Sequence, residues 1–187
     1  MVLGEILTQP TPTERAAQLP GDEVVSPADV VMDRAFTLAV APEVVWPWIV
    51  QLGKGRAGWY FPALVERLVP LSRRGLREID ARHQGLATGD VVPDWGGRDA
   101  TFTVIGLEPG RHLLYASTRG RTRLTWILQL SPAGVTATRM HLRLRLAPVQ
   151  HQLVAERLGG LFDQLTVMGL AAGLRERVRA AGDTARA

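Results

Sequence analysis

Apolar residues along this chain recur with two different periods, and the order of those periods predicts an architecture. A mostly alternating pattern predicts a first strand over residues 31–40. Helical spacing then predicts a helix over residues 41–52, with a proline and an acid in its first turn. A second, shorter helix is predicted over residues 59–68.

Four further strands follow one another with short turns between them. They are predicted over residues 101–107, 112–117, 123–130 and 136–146. The intervening Pro109-Gly110, Arg119-Gly120 and Pro132-Ala133-Gly134 pieces are typical of hairpins. Because consecutive strands joined by short turns run in opposite directions, we expect an antiparallel sheet.

The last element is a helix predicted over residues 150–180. Its apolar residues recur every three or four positions and predict one stripe that faces the sheet: Leu158, Leu161, Phe162, Leu165, Met168 and Ala172. The whole pattern predicts an α+β domain over residues 30–182, in which a curved antiparallel sheet wraps around the long C-terminal helix. Residues 1–29 are expected to form an arm that lies on the domain, and residues 183–187 a tail.

Composition narrows the class of protein. The 187 residues suit one domain, and the absence of cysteine excludes disulfides and thiolate metal sites. No apolar run is long enough to span a bilayer, and the N-terminus does not resemble a secretory signal, so a cytoplasmic location is expected. The net charge is +4, and 21 of the 22 basic residues are arginine. Charge alone does not lead us to expect nucleic-acid binding.

Two motif types are present without the context that would give them a function. Residues 53–58 match G-x-G-x-x-G, but they follow a helix and precede no βαβ unit, so we interpret them as a helix–helix connection. The four histidines, His83, His112, His141 and His151, lack the spacing of a metal site. We therefore expect no metal and no cofactor.

The apolar faces of the last two strands are expected to meet the stripe of the C-terminal helix. That meeting predicts either a packed core or a cavity for an apolar ligand. The candidate lining residues are Trp48, Phe102, Trp126, Leu128, Met140, Leu158, Phe162, Leu165 and Met168. The candidates for a polar end or rim are Trp59, Tyr60, Gln84, Asp90, Asp94 and Trp95.

One long segment resembles a known family. Ala-Pro-Glu-Val-Val-Trp-Pro-Trp-Ile-Val-Gln-Leu-Gly at residues 41–53, followed by Arg56-Ala57-Gly58-Trp59-Tyr60, looks like the opening of bacterial SRPBCC proteins, the START and polyketide cyclase/dehydrase-like group. The pieces His83-Gln84-Gly85-Leu86, Gly89-Asp90, Thr125-Trp126 and Thr138-Arg139-Met140 look like the same group. The resemblance implies a helix-grip fold with a hydrophobic cavity. Phe61-Pro62-Ala63 departs from the more polar residues expected there.

The opposite face of the last hairpin is rich in arginine. Arg121 and Arg123 are expected to lie across from Arg139, Arg143 and Arg145, with Arg123 opposite or near Arg143. Like charges in that position are unfavourable unless acids such as Glu108, or an anionic partner, relieve them.

Three functions remain open at this stage. The first is binding of a hydrophobic or amphipathic small molecule, lipid- or polyketide-like, in the cavity. The second is a cyclase-like enzyme using Tyr60, Asp90, Asp94 or His112 as acid or base. The third is an interaction module that uses the arginine face. The sequence predicts neither the ligand nor the oligomeric state.

Overall fold

A computed structural model describes residues 8–150 and 159–184, with side chains up to residue 181. Within those ranges no helix has the length and apolar character needed to cross a membrane. In chain order the elements are α1 (Pro12–Ala16), β1 (Val30–Leu38), α2 (Pro42–Gln51), α3 (Ala63–Glu66), two 3-10 turns (Leu71–Arg73 and Ala81–His83), β2 (Val91–Pro93), β3 (Thr101–Glu108), β4 (His112–Arg119), β5 (Thr122–Pro132), β6 (Thr138–Ala147) and α4 (Gly160–Thr184).

The six strands form one curved antiparallel sheet in the order β1-β6-β5-β4-β3-β2. Consecutive hairpins join β3 to β6, and β1 then pairs with β6 along its whole length, from Val30 opposite Leu146 to Leu38 opposite Thr138. The predicted sheet and C-terminal helix are confirmed, with strand ends shifted by one to two residues. The part of the predicted helix that covers residues 151–158 lies outside the described residues.

The concave face of the sheet carries the core. Phe36, Leu128 and Met140 lie on this face, because cross-strand neighbours share a face in an antiparallel sheet. All three are buried. Helix α2 packs against this face with side chains such as Trp48, and α4 does so with the buried residues Val167, Leu170, Ala171, Leu174 and Val178.

The face of α4 that packs on the sheet is not the predicted one. The predicted stripe included Phe162 and Leu165, which are 70% and 59% exposed, whereas Leu170 and Leu174 are fully buried. Two sets of apolar residues recur at helical spacing along this helix, about two positions apart, and therefore on opposite sides. Glycine on one side of the helix selects the face that is buried, because only glycine allows so close an approach. A Cβ on Gly173 would lie 2.5 Å from the Tyr60 carbonyl oxygen.

The convex face of the sheet is covered by the N-terminal arm. Glu14 on α1 forms an ion pair with Arg139 at 2.7 Å, and Asp22 forms one with Arg143 at 2.8 Å. Arg143 also reaches Asp33 on β1 at 2.8 Å and the carbonyl oxygens of Ala17, Glu14 and Arg15. Acids and backbone carbonyls of this chain thus neutralise the arginines.

Two predictions about the outer face are therefore wrong. Arg123 lies opposite Ala147, and Arg143 lies opposite Ile127, so the two arginines do not face each other. Glu108 is paired with Arg111 and lies near His112 instead of relieving the arginine face. The periodic strands carried no signal for the arm, whose acids supply the counter-charges.

Strand β4 is covered on both faces. Leu113 and Tyr115 occupy the concave face and are buried. Leu114 is buried as well, on the other side, where a Cβ on Gly21 of the arm would touch it. Because both faces of β4 are covered, its apolar pattern does not reveal which face is the core.

Candidate functional site

Five rings form one cluster on the concave face, which we call the aromatic group: Trp59, Trp95, Phe102, Tyr115 and Trp126. Trp126 lies at its centre, stacked on Tyr115 at 5.8 Å and on Trp59 at 6.1 Å between ring centroids. Phe102 lies 5.9 Å from Trp126, and Trp95 contacts the edge of Trp59 at 5.7 Å. Such pairs stabilise their mutual geometry beyond simple apolar burial.

Trp59 is positioned from both sides. The loop before it is closed by two backbone hydrogen bonds between Gly53 and Gly58, and both glycines have positive φ angles of 144° and 77°. On the other side, Trp59 Nε1 donates to the Thr166 carbonyl oxygen of α4 at 3.1 Å. The G-x-G-x-x-G segment is thus a tight loop, as predicted, and it sets the ring between the sheet and the C-terminal helix.

Burial changes sharply along the concave face. Trp126, Leu144 and Met32 lie side by side on β5, β6 and β1, and all three are only partly buried. We call this row the open row. Further from it, Leu128 and Leu142 are buried, and so are Leu130, Met140 and Phe36. The open row therefore presents apolar side chains with part of their surface exposed. It lies between the closed core on one side and the buried residues Val30 and Leu124 on the other.

A polar pair lies next to the open row. Arg34, two residues along β1 from Met32, faces Asp163 in the first turn of α4, with Nε and Oδ2 3.0 Å apart. Both atoms are buried, and neither has a hydrogen-bond partner of good geometry. Burial raises the pKa of Asp163 above its ordinary value, against the opposing effect of Arg34. The pair thus offers one unsatisfied donor and one unsatisfied acceptor.

Two hollows are lined entirely by described residues. The first, of about 330 Å³, opens at the edge of β1 and is lined by residues that include Met32, Arg34 and Gly160. The second, of about 460 Å³, lies beside Val24 and Val25 of the arm. The enclosed cavity expected between sheet and helix stays a prediction, since neither of these hollows occupies that position.

The predicted lining residues, together with Trp59 from the predicted rim, fall into three sets according to where the structure places them. Trp59, Phe102 and Trp126 meet in the aromatic group. Trp48, Leu128 and Met140 are buried in the closed core. On α4, Met168 is partly buried, Phe162 and Leu165 are exposed rather than turned toward the strands, and Leu158 lies outside the described residues.

The predicted polar residues Tyr60, Gln84 and Asp90 form hydrogen bonds to backbone groups. The Tyr60 hydroxyl donates to the Trp48 carbonyl oxygen at 2.9 Å, and Gln84 donates to the Pro47 carbonyl oxygen at 3.1 Å. Asp90 accepts from the Ala87 backbone amide in an exposed turn. These contacts are structural, and they leave the aromatic group without a polar residue from the predicted set other than Asp94 beside it.

Sequence reasoning missed Met32, Arg34, Tyr115, Leu144 and Asp163. Leu144 lies on the same face of β6 as Met140, a face that the sequence had correctly predicted to point inward, but Leu144 was not named as a site residue. Tyr115 follows the alternation of β4 and would have been included had the inward face of that strand been known. Arg34 interrupts an otherwise apolar face of β1, which is the one local signal for the polar pair.

Solved structures resemble this arrangement, although no protein-family model and no curated protein matches the sequence. A protein from Rhodobacter sphaeroides is 15% identical over 83% of this chain and 96% of its own, with a TM-score of 0.51. The CV1439 protein from Chromobacterium violaceum is 17% identical over 80% and 99%, with a TM-score of 0.49. CalU16 from Micromonospora echinospora is 17% identical over 80% and 84%, with a TM-score of 0.45.

The chain has a helix-grip fold, in which a curved antiparallel sheet wraps around a long C-terminal helix. Identities this low show the fold alone, and this fold hosts many functions. Function in a helix-grip chain must therefore be argued from its own side chains.

Each of the four candidate acids and bases of this helix-grip protein has its own partners, and they do not contact one another. Asp94 is bonded to Arg119 and to the backbone amides of Trp95 and Gly96. Burial raises the pKa of Tyr60, and His112 lies 3.6 Å from Glu108. Among the described residues, no hydrogen bond or ion pair joins two of Tyr60, Asp90, Asp94 and His112. Nor do those residues include three metal-ligating side chains grouped as a metal site.

Proposed function

We propose that this protein binds an amphipathic small molecule at the open row of its concave face. The observation that carries the proposal is the change in burial along that face: an apolar row left partly exposed, between an aromatic group and an unsatisfied polar pair. Ligand sites commonly combine mostly apolar walls with a few polar groups that fix orientation.

The apolar part of the ligand would lie along the open row. Trp126, Leu144 and Met32 present flexible and aromatic side chains that adapt to an apolar surface. Burying this row against a ligand gains roughly 25 cal/mol for each Å² removed from water. The hollow beside Met32 and Arg34, at about 330 Å³, supports the same position.

The polar part would meet Arg34 and Asp163. Arg34 Nε and Asp163 Oδ2 form a buried ion pair without good hydrogen-bond geometry, so a ligand that hydrogen-bonds to both atoms relieves part of the cost of burying them. A hydroxyl, an enol or a carboxylic acid can accept from Arg34 Nε and, through its proton, donate to Asp163 Oδ2. Trp126 and Arg34 are separated by two interstrand spacings across the sheet and by two residues along β1, which gives a distance of about 12 Å. That span suits a medium-length acyl chain or a few fused rings.

Two tryptophan substitutions give a matched test. Met32→Trp should fill the open row and weaken binding, whereas Val135→Trp adds the same ring at a 98% exposed position between β5 and β6 and should not. Each protein is titrated with 1-anilinonaphthalene-8-sulfonate, followed by displacement with a medium-chain fatty acid or alcohol. We expect at least about tenfold weaker binding for Met32→Trp, or about 1.4 kcal/mol.

Two results would overturn the proposal. One is equal affinity of the two variants for the probe and its competitors. The other is the absence of saturable binding by the unaltered protein. Circular dichroism and urea unfolding of both variants establish that the comparison is made between folded proteins.

A further inference from the structure

The segment of residues 63–71, which follows Trp59 in the sequence, buries the charged side chain of Glu66 and exposes its leucines. Leu64, Leu68 and Leu71 are 72%, 87% and 79% exposed, and Val65 between them is also exposed. We call these four residues the leucine ridge. Isolated exposed leucines are ordinary, but four large aliphatic side chains within eight residues make a continuous apolar surface.

A buried ionic contact fixes this orientation. Glu66 lies within the ridge segment but points into the protein, where its carboxylate meets Arg177 at 2.7 Å and Arg77 at 2.7 Å. Arg177 is fully buried and also donates to four backbone carbonyl oxygens, those of Phe61, Gly75, Leu76 and Gly173. Removing one partner of such a pair is strongly unfavourable, so the segment cannot readily turn its leucines inward.

The helical turn itself is anchored at both ends. The Ala63 backbone amide donates to Glu176 of α4 at 2.8 Å, and Arg74 Nε donates to the Val69 carbonyl oxygen at 2.8 Å. The chain continues from α3 into a tighter turn, in which the Leu68 backbone amide donates to the Val65 carbonyl oxygen, and both Leu64 and Leu68 are exposed. The ridge is therefore a fixed protrusion.

The charges on the exposed side of the ridge have one sign. Between residues 63 and 74 the only acid is Glu66, which is buried, while Arg67 and Arg73 are exposed. Aliphatic side chains flanked by arginine suit the boundary between lipid headgroups and acyl chains, where phosphates accept from the guanidinium groups.

We propose that the leucine ridge docks on an anionic lipid bilayer. A second copy of this chain is the poorer fit, because a two-fold interface would bring Arg67 and Arg73 against their own equivalents. The ridge also lacks the aromatic side chains that are enriched in protein interfaces. The inference holds whatever the open row binds.

Vesicle co-sedimentation tests the proposal with matched variants. The protein is mixed with phosphatidylcholine vesicles with and without phosphatidylglycerol. The double variant Leu68→Ser with Leu71→Ser should bind anionic vesicles at least about tenfold more weakly. Val91→Ser with Val135→Ser, which changes two exposed valines elsewhere, should bind as the unaltered protein does.

The arginines are tested in the same assay. Arg67→Gln with Arg73→Gln should lower binding by about fivefold per arginine and reduce its salt dependence. The control, Arg98→Gln with Arg121→Gln, removes two other exposed arginines and should have little effect. Absence of vesicle binding by the unaltered protein, or equal losses in ridge and control variants, would overturn the proposal. So would a dimer in light scattering without lipid that Leu68→Ser abolishes, because the ridge would then be occupied by a second copy.

Discussion

The two halves of helix α4 contact the rest of the protein in opposite ways. Toward its C-terminus the helix is held against the core: Leu170 and Leu174 are fully buried, and Gly173 touches the backbone of Tyr60. Toward its N-terminus, Phe162 and Leu165 are exposed, and the side facing β1 carries the Asp163–Arg34 pair in place of an apolar contact.

In the proposed binding mode, this difference lets one helix serve both as support and as a wall of the ligand site. Close glycine contacts and aliphatic packing fix the C-terminal half, so the N-terminal half is positioned without needing a dense core beneath it. The Asp163–Arg34 pair, whose atoms lack good hydrogen bonds, remains beside the open row. Selection for packing alone would have removed such a pair.

Truncation of leucines should separate the two halves most strongly. Leu174→Ala removes fully buried methyl groups from the closed half and should lower the free energy of unfolding by about 2–5 kcal/mol. Leu165→Ala removes the same groups from an exposed position and should change it by less than about 0.5 kcal/mol. Urea unfolding measures both. Similar losses would mean that the N-terminal half is packed as tightly as the other.

Glycine substitutions should give opposite signs at the two ends. Gly173→Ala places a Cβ 2.5 Å from the Tyr60 carbonyl oxygen, and relieving that overlap should cost about 1–3 kcal/mol of stability. Gly160→Ala meets nothing closer than Arg34 Nη2 at 4.0 Å and should stabilise the protein by about 0.4–1 kcal/mol. Thermal unfolding of the two variants decides the matter, and a gain for Gly173→Ala would refute the close approach.

The smallest expected effect concerns pH and the open half. Burial raises the pKa of Asp163, so the folded protein holds this proton to higher pH than the unfolded chain does. The stabilisation is fully present below the unfolded pKa of about 3.8 and is lost as the pH rises through the folded pKa. Relative to Asp163→Asn, the protein should therefore lose about 2 °C in Tm from acidic to neutral pH. A difference in Tm that does not change with pH would contradict this.

Local patterns predicted the elements better than the surfaces. Alternation and hairpin signals were enough for β3 to β6, since each depends on a few neighbouring residues. The buried side of α4 was mispredicted because Leu165 and Leu174 both belong to apolar stripes of helical spacing. What selected between them was the contact of Gly169 and Gly173 with the distant segment of Tyr60 and Phe61.

The candidate site was predicted only in part, for the same reason. Trp59, Phe102 and Trp126 stood out because large aromatic residues on strands and after a helix commonly group together. Arg34 and Asp163 are far apart in sequence and become neighbours only because the C-terminal helix packs against β1. No local sequence pattern predicts that packing.

The arm that crosses the convex face has a practical consequence for anyone who shortens this chain. A version that begins at residue 30 would lose Glu14 and Asp22, the counter-ions of Arg139 and Arg143. Those guanidinium groups, together with Arg145, would then form a row of positive charge in which only Arg143 keeps a carboxylate partner, Asp33 of β1. Such a fragment should retain polyanions such as heparin or RNA during purification, an affinity created by the trimming itself.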